Sequence, residues 1–302
     1  MNRIHFLQQL SLAGAGCMLP SVLQARGRYE KLTILHTNDM HSRIDPFPMD
    51  GGKWQGLGGL SARARLIEEI RRREEHVLLL DSGDILQGTP YFNFFQGEPE
   101  FRGMSAMGYD AATLGNHDFD AGLDGLKKLL PLATFTIINA NYDFSDTILA
   151  DSFAPYRIIQ KGNLKIGILG IGIELTGLVP EKLYGNTRYR DAIDVANQVA
   201  LQLKQRDQCD LVICLSHLGH SYSSGKIGDT NLAAGSAGID IILGGHTHTL
   251  LEEPVIMRNR ENQPVVIQQS GWGGAYMGKL DVYVSRGEKK KNILANPIKV
   301  SN

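Results

Sequence analysis

Apolar positions along the chain fall into short runs with two different periods. Residues 32–36 and 77–80 are β-type runs, the second apolar without a break, as in a strand buried on both faces. Between them, Leu60, Ala64, Ile67 and Ile70 recur with Arg and Glu opposite, which predicts an amphipathic helix over residues 60–73. The alternation continues with a strand at 111–114, a helix from Gly122 to Leu130 stopped by Pro131, and a strand at 135–138. The second half is richer in strands and has shorter connections. Residues 156–159 and 165–169, joined through Lys161-Gly-Asn163, read as a hairpin, and 192–205 as an amphipathic helix. Residues 211–215, 239–243, 265–267 and 279–284 read as further strands. Strands alternating with helices predict parallel β-α-β units. The whole pattern predicts an α/β fold of two packed mixed sheets with helices outside. No internal repeat and no Pro- or Ser-rich linker divides the chain, and Lys289-Lys-Lys291 reads as a solvated turn between late strands.

Composition narrows this picture. The 302 residues are 21% charged and 42% hydrophobic, a globular balance, and 31 basic against 32 acidic residues leave a net charge of −1. A nucleic-acid partner, which would call for a basic footprint, is therefore not expected. The only cysteines are Cys17, Cys209 and Cys214, which excludes a disulfide scaffold and a thiolate zinc site. Cys209 and Cys214 lie too far apart along an extended strand to be bridged, and both read as inert thiols, Cys214 in the core. Residues 1–25 read as an export signal. Arg3 provides the positive start, residues 10–19 an apolar stretch too short to span a bilayer, and Ala25 a small residue at the cleavage point. Export to a periplasm or cell surface follows, with residues 26–302 as one domain. Residues 3–8 resemble a twin-arginine signal in which Ile4 replaces the second Arg. Ala15-Gly16-Cys17 resembles a lipoprotein cleavage box, so lipidation of Cys17 is the one membrane link the sequence offers.

The chemistry lies at the ends of strands, where ligands bind in open α/β sheets. Five strand-type runs are each followed by a polar segment: Thr37-Asn-Asp-Met-His41, Asp81-Ser-Gly-Asp84, Gly115-Asn-His-Asp-Phe-Asp120, Ser216-His-Leu-Gly-His220 and Gly244-Gly-His-Thr-His248. Together they collect Asp39, His41, Asp84, Asn116, His217, His246 and His248. Carboxylate, amide and imidazole donors without thiolate suit divalent Mn, Zn, Fe or Co, and Ca poorly. Seven donors exceed the needs of one catalytic ion; two ions sharing a carboxylate would use them, an arrangement that activates water and clamps phosphoryl oxygens. Taken singly each residue has an ordinary explanation, such as a turn, a cap or a hydrogen-bonded histidine. The ordered set, each member after a strand, is what carries the signal. Of the other histidines, His5 belongs to the export segment, His36 reads as core, His76 shows no partner and His220 stands near a site loop.

These motifs resemble the calcineurin-like metallophosphoesterase superfamily. Ile34-Leu-His-Thr-Asn-Asp-Met-His41, Leu114-Gly-Asn-His-Asp-Phe-Asp120, Leu215-Ser-His-Leu-Gly219 and Gly244-Gly-His-Thr-His-Thr249 are similar to its 5′-nucleotidase branch. The resemblance implies a four-layer α/β/β/α sandwich and two divalent ions. It implies that Asp39, His41 and His248 hold one ion and Asn116, His217 and His246 the other, with Asp84 bridging. His117 would meet the transferring phosphoryl group and assist the leaving oxygen, oriented and kept protonated by Asp120. Asp118 would not be a ligand, and Asp81 would anchor its loop. Hydrolysis by a metal-bound hydroxide, without a protein nucleophile, is the implied reaction.

Secreted members of that branch carry a C-terminal nucleoside-binding domain, which these 302 residues do not include. Two expectations follow: a separate chain supplies nucleotide binding, or this domain hydrolyses a broader set of phosphoesters. Related branches act on cyclic nucleotides, UDP-sugars or thiosulfate-type esters, and the motifs do not separate these. A metal-dependent binding subunit is the non-enzyme alternative; the His117–Asp120 pair argues against it, since a binding module needs no leaving-group acid.

Overall fold

The computed structural model describes residues 29–285 and 291–301; the stretch read from sequence as an export signal, with His5 and Cys17, and also Lys289 and Lys290, lie outside them. Period-two alternation builds two sheets. In β1 (Tyr29–Thr37) and β2 (Val77–Asp81), Leu32, Ile34, Leu78 and Leu80 join one core, while Leu35, Val77 and Leu79 join another on the opposite face. β1 runs parallel to β2, β2 to β3 (Ala111–Ala112), and β3 to β4 (Thr136–Ile137). On the other side of β1, β13 (Tyr276–Ser285) and β14 (Lys291–Lys299) add antiparallel strands, completing six.

The second six-stranded sheet has β7 (Leu164–Ile171), β9 (Leu211–Ser216), β10 (Ile241–Leu243) and β12 (Pro264–Gln268) in parallel. Antiparallel β6 (Tyr156–Lys161) and β11 (Val255–Arg258) close its two edges, and β5 (Tyr142–Asp143) pairs with β8 (Arg188–Tyr189) apart from both sheets. Leu211, Ile213, Leu215, Ile241 and Leu243 meet Leu32, Ile34, Leu78 and Leu80 between the sheets. Val212, Cys214 and Ile242 turn outward beneath α6 (Ala192–Leu201) and α7 (Asp229–Gly235). Leu35 and Leu79 pack beneath α1 (Leu60–Arg73), α3 (Glu98–Met107) and α4 (Gly122–Leu129). The result is the expected four-layer α/β/β/α sandwich. The parallel strands of both sheets end at one edge, where Ser82 Oγ donates to Leu243 O at 2.7 Å across the gap.

Several local expectations change. Within the predicted strands at 111–114 and 135–138 only Ala111–Ala112 and Thr136–Ile137 join the sheet ladder, and Ile138 forms a single bridge to Ala154. The chain leaves the ladder at Thr113, whose hydroxyl donates to Ile138 O at 3.0 Å, and turns toward the site. The helix expected to Gln205 is α-helical to Leu201 and ends in a π-helical turn, Gln202–Arg206. Neither α2 (Pro90–Phe95), α3, α5 (Glu181–Tyr184) nor α7 is predicted by apolar periodicity. Pro and Gly dilute α3, and the other three are under eight residues long. Lys291 is not in a solvated turn. It opens β14 and pairs with the Asp240 carboxylate, whose other oxygen takes Lys204 at 2.8 Å, and burial pushes the Lys291 pKa down to about 8. Cys209 and Cys214 are free buried thiols, as expected. Among the described residues no helix is long and apolar enough to cross a membrane.

Candidate active site

Three of the strands that end at the shared edge, β1, β2 and β10, deliver their polar segments in a constrained backbone. Asp39, His41, Asp84, His246 and His248 have φ values of 51°, 48°, 56°, 71° and 54°. Non-glycine residues in this left-handed region cost about 1–3 kcal/mol each, and such strain gathers at functional sites. Five at one strand edge is a strong mark of function. Hydrogen bonds hold the turns. Asp39 N donates to Gly83 O at 2.9 Å, His41 N to Asp84 O at 3.0 Å, and His246 N to both Asp39 carboxylate oxygens at 3.0 Å.

Two clusters result. The donor atoms of Asp39, His41 and His248 lie within 4.8 Å of one another, and so do those of Asp84, His217 and His246. The clusters adjoin: Asp84 Oδ2 is 3.0 Å from His217 Nε2 and 3.9 Å from His41 Nε2, and Asp39 Oδ1 is 3.9 Å from His217 Nε2. Asn116 Oδ1 meets His246 Nδ1 at 2.8 Å. All seven sequence-predicted donors therefore converge.

The ring orientations favour a cation. His41 Nδ1 lies 3.1 Å from Gln87 O and His217 Nδ1 2.7 Å from Ser82 O. A carbonyl only accepts, so each ring carries a proton on Nδ1 and turns Nε2 into the site. His41 Nε2 then faces His248 Nε2 at 2.9 Å. His217 Nε2 is buried without a hydrogen bond and faces the Asp84 carboxylate. At these distances the His41–His248 pair needs a proton on one ring or a cation between them, and His217 Nε2 facing a carboxylate needs a proton or a cation in the same way. Burial alone would lower the His217 pKa, yet the Asp84 and Asp39 charges push it up to about 10. Against the same burial, the pull of His217 holds Asp84 well below the usual carboxylate range. The donor set, the facing lone pairs and this demand for positive charge fit divalent ions in both clusters.

Gly115 allows the packing around Asp84. A Cβ there would stand 2.2 Å from Asp84 Oδ1 and 2.5 Å from Asp84 N. Gly115→Ala should cost about 1–3 kcal/mol of stability through overpacking. By displacing a donor it should also weaken divalent-ion affinity about 10–100-fold. Thermal melts with and without Mn check both effects.

The remaining predicted residues line the rim or the supports. His117 N donates to Asp84 Oδ1 at 2.8 Å, and His117 Nδ1 bonds Asp120 Oδ2 at 2.8 Å. That bond raises the His117 pKa, and the ring is half-buried beside the clusters, 5.2 Å from the His41 ring. Asp118 accepts the backbone N–H groups of Asp84, Ile85, Leu86 and Gly115 at 2.8–3.2 Å, which locks the Asp84 turn. Burial and the Asp84 charge push the Asp118 pKa up to about 7, while the N–H donors oppose them. Asp81 accepts from Thr37 Oγ1 at 2.6 Å and Gly83 N at 2.9 Å. His220 joins neither cluster; its N–H donates to Thr247 Oγ1 at 2.9 Å. His36 is core, with burial driving its pKa down to about 3. His76, without an evident partner in sequence, lies 4.0 Å from Glu30 and from Glu75.

Sequence reasoning missed a sixth strand end, the one after β12. Gln269 Nε2 donates to Gly245 O at 2.7 Å, Asn38 Oδ1 accepts from Ser270 N at 2.9 Å, and the Trp272 ring stacks on His248. The signal was the same as elsewhere, an apolar run followed by Gln268-Gln-Ser-Gly271. Without a charged or imidazole donor it did not stand out.

Residues 32–250 match the family model for calcineurin-like phosphoesterases. The chain belongs to the calcineurin-like phosphoesterase family. Members of this family use two divalent ions, and the two clusters are where this phosphoesterase has donors for them. It is 35% identical over 308 residues to a 5′-nucleotidase of Vibrio cholerae, matching 92% of this chain and 53% of the relative. It is also 35% identical to a snake venom 5′-nucleotidase of Gloydius brevicauda, over 96% of this chain and 51% of the relative. The structure of a 5′-nucleotidase precursor from Thermus thermophilus superposes with a TM-score of 0.81 at 29% identity, covering 90% of this chain and 55% of that one. The chain thus spans about half the length of the relatives it matches.

Proposed function

We propose that this phosphoesterase is exported and hydrolyses 5′-nucleotides to nucleoside and phosphate with two divalent ions. The carrying observation is the pair of adjoining donor clusters with a protonatable His117 at their rim. The named relatives supply the nucleotide class. Residues 1–25 act as the export signal, supported by Arg3 and the apolar stretch 10–19, and residues 26–302 form the catalytic domain.

Asp39, His41 and His248 would hold one ion, Asn116, His217 and His246 the other, with Asp84 between them. Bound there, the ions supply Lewis acidity toward phosphoryl oxygens and lower the pKa of water to the range of a neutral-pH nucleophile. The protein's own groups do the rest. Nδ1 protons given to Gln87 O and Ser82 O keep His41 and His217 turned inward. Asp120 on Nδ1 keeps His117 protonated, so that Nε2–H can bond a phosphoryl oxygen and pass its proton to the departing alkoxide. No serine or cysteine nucleophile is required.

A second reading keeps the same chemistry with another substrate range: specificity is broader than 5′-nucleotides, or a separate chain supplies nucleoside recognition. A phosphate-release panel tests both. The protein is assayed with Mn, Zn, Co and Mg against 5′-AMP, 2′,3′-cyclic AMP, a UDP-sugar and an aryl phosphate. Preference for 5′-AMP, lost on chelation and restored by a divalent ion, supports the first reading. Equal or higher activity on the aryl phosphate with little nucleotide preference rejects it in favour of the broader enzyme. Activity unaffected by chelation overturns the metal-dependent account.

A further inference from the structure

A histidine that holds a metal usually has its ring plane fixed by a hydrogen bond from its other nitrogen. His41 and His217 have this support in Gln87 O and Ser82 O. His248 does not. Among the described residues its one side-chain hydrogen-bond contact is Nε2 toward His41, and its side chain is 39% exposed. What lies against it is the indole of Trp272, stacked at an interplanar angle of 8° with ring centroids 5.4 Å apart. The same indole stands edge-on to His41 at 6.4 Å, with Phe47 edge-on against it at 5.2 Å.

The loop carrying Trp272 is tied to both sides of this cluster. Asn38 Nδ2 donates to Gly271 O at 2.6 Å, Gly273 N to Asp39 O at 2.7 Å, and Gly271 N to Thr249 O at 3.0 Å. The residues next to Asp39 and to His248 are thus bonded to the residues flanking the indole. Gly273 fits because a Cβ there would stand 2.6 Å from Phe47 Cζ. The indole is held in place by the backbone on one side and by Phe47 on another, so it offers the His248 ring a fixed plane to lie against.

We propose that Trp272 is a positioning residue: its flat face replaces the missing hydrogen bond of His248 and sets the ion affinity of the Asp39/His41/His248 cluster selectively. This rests on the reading that the two clusters hold ions. Among the described residues the ring contacts of Trp272 are His41, Phe47 and His248, none of them in the second cluster, which should not respond. Since the chain has two tryptophans, Trp54→Phe leaves Trp272 as a single fluorophore beside one cluster.

The test is a Co titration followed by calorimetry and by tryptophan fluorescence. It compares wild type, Trp272→Ala, Trp272→Phe and, for Trp272 emission, Trp54→Phe. Two binding steps are expected in wild type, one of which quenches Trp272 emission in Trp54→Phe and disappears on adding His248→Ala. Trp272→Ala should weaken that step alone by about 10–100-fold, the range for losing a ligand's outer support. Trp272→Phe, which keeps a flat face, should restore most of it. Two unchanged steps in Trp272→Ala would overturn the proposal while leaving the two-ion reading intact. Equal weakening of both steps with a lowered metal-free melting temperature would make Trp272 a general structural residue, and also overturn it. No binding steps in wild type would overturn the two-ion reading itself.

Discussion

Asp84→Ala should abolish measurable turnover, lowering kcat on the order of 10³-fold or more, because it removes charge stabilisation from both clusters at once. Asp84 is the carboxylate that lies within 3.0 Å of His217 and 3.9 Å of His41, so one substitution reaches donors of each group. It also leaves the buried His217 facing no carboxylate at contact distance, and ion content should fall together with activity. Metal analysis of the purified variant after dialysis, beside its phosphate-release rate, checks both. The backbone bonds from Asp118 to the 84–86 turn remain, so the far-ultraviolet spectrum should be unchanged. A variant that keeps full ion content and near wild-type kcat would show that Asp84 does not serve the ions.

His117→Ala should lower kcat by about 10²–10⁴-fold, the usual contribution of a positioned general acid, with ion content preserved. Its imidazole belongs to neither donor cluster, and only its backbone N–H touches Asp84. The size of the loss should depend on the leaving group. A nucleoside alkoxide needs a proton as the P–O bond breaks, whereas a nitrophenolate leaves without one. The deficit should therefore be large on 5′-AMP and much smaller on p-nitrophenyl phosphate. An equal deficit on both would move His117 from the leaving oxygen to the phosphoryl oxygens. Loss of bound ions in this variant would contradict its place outside the clusters.

The candidate site was legible because each donor follows an apolar run, and parallel strands of one fold end at one edge. Asp39, Asp84 and Asn116 come from one sheet and His217, His246 and His248 from the other. Sequence order alone could place them at strand ends, but a family resemblance was needed to divide them into two groups. The sheets were readable from short apolar runs such as residues 211–215, whose side chains the structure then divides between two faces, Leu211, Ile213 and Leu215 against Val212 and Cys214. What escaped depends on contacts distant in sequence. Trp272 acquires meaning only where the loop after β12 reaches His248. Lys291 looks solvated in a run of lysines until Asp240 meets it across the fold. The short helices α2, α5 and α7 are held by tertiary packing and carry too few residues for a period to show.

Everything proposed for the chemistry depends on one strand edge holding two divalent ions side by side. Anomalous diffraction from crystals grown with Mn, recorded near the Mn absorption edge, shows directly whether it does. Two peaks are expected, one in contact with Asp39, His41 and His248, the other with Asn116, His217 and His246, and Asp84 in contact with both. A single peak shared by all seven residues, or peaks that leave either cluster empty at saturating Mn, would refute the two-ion arrangement.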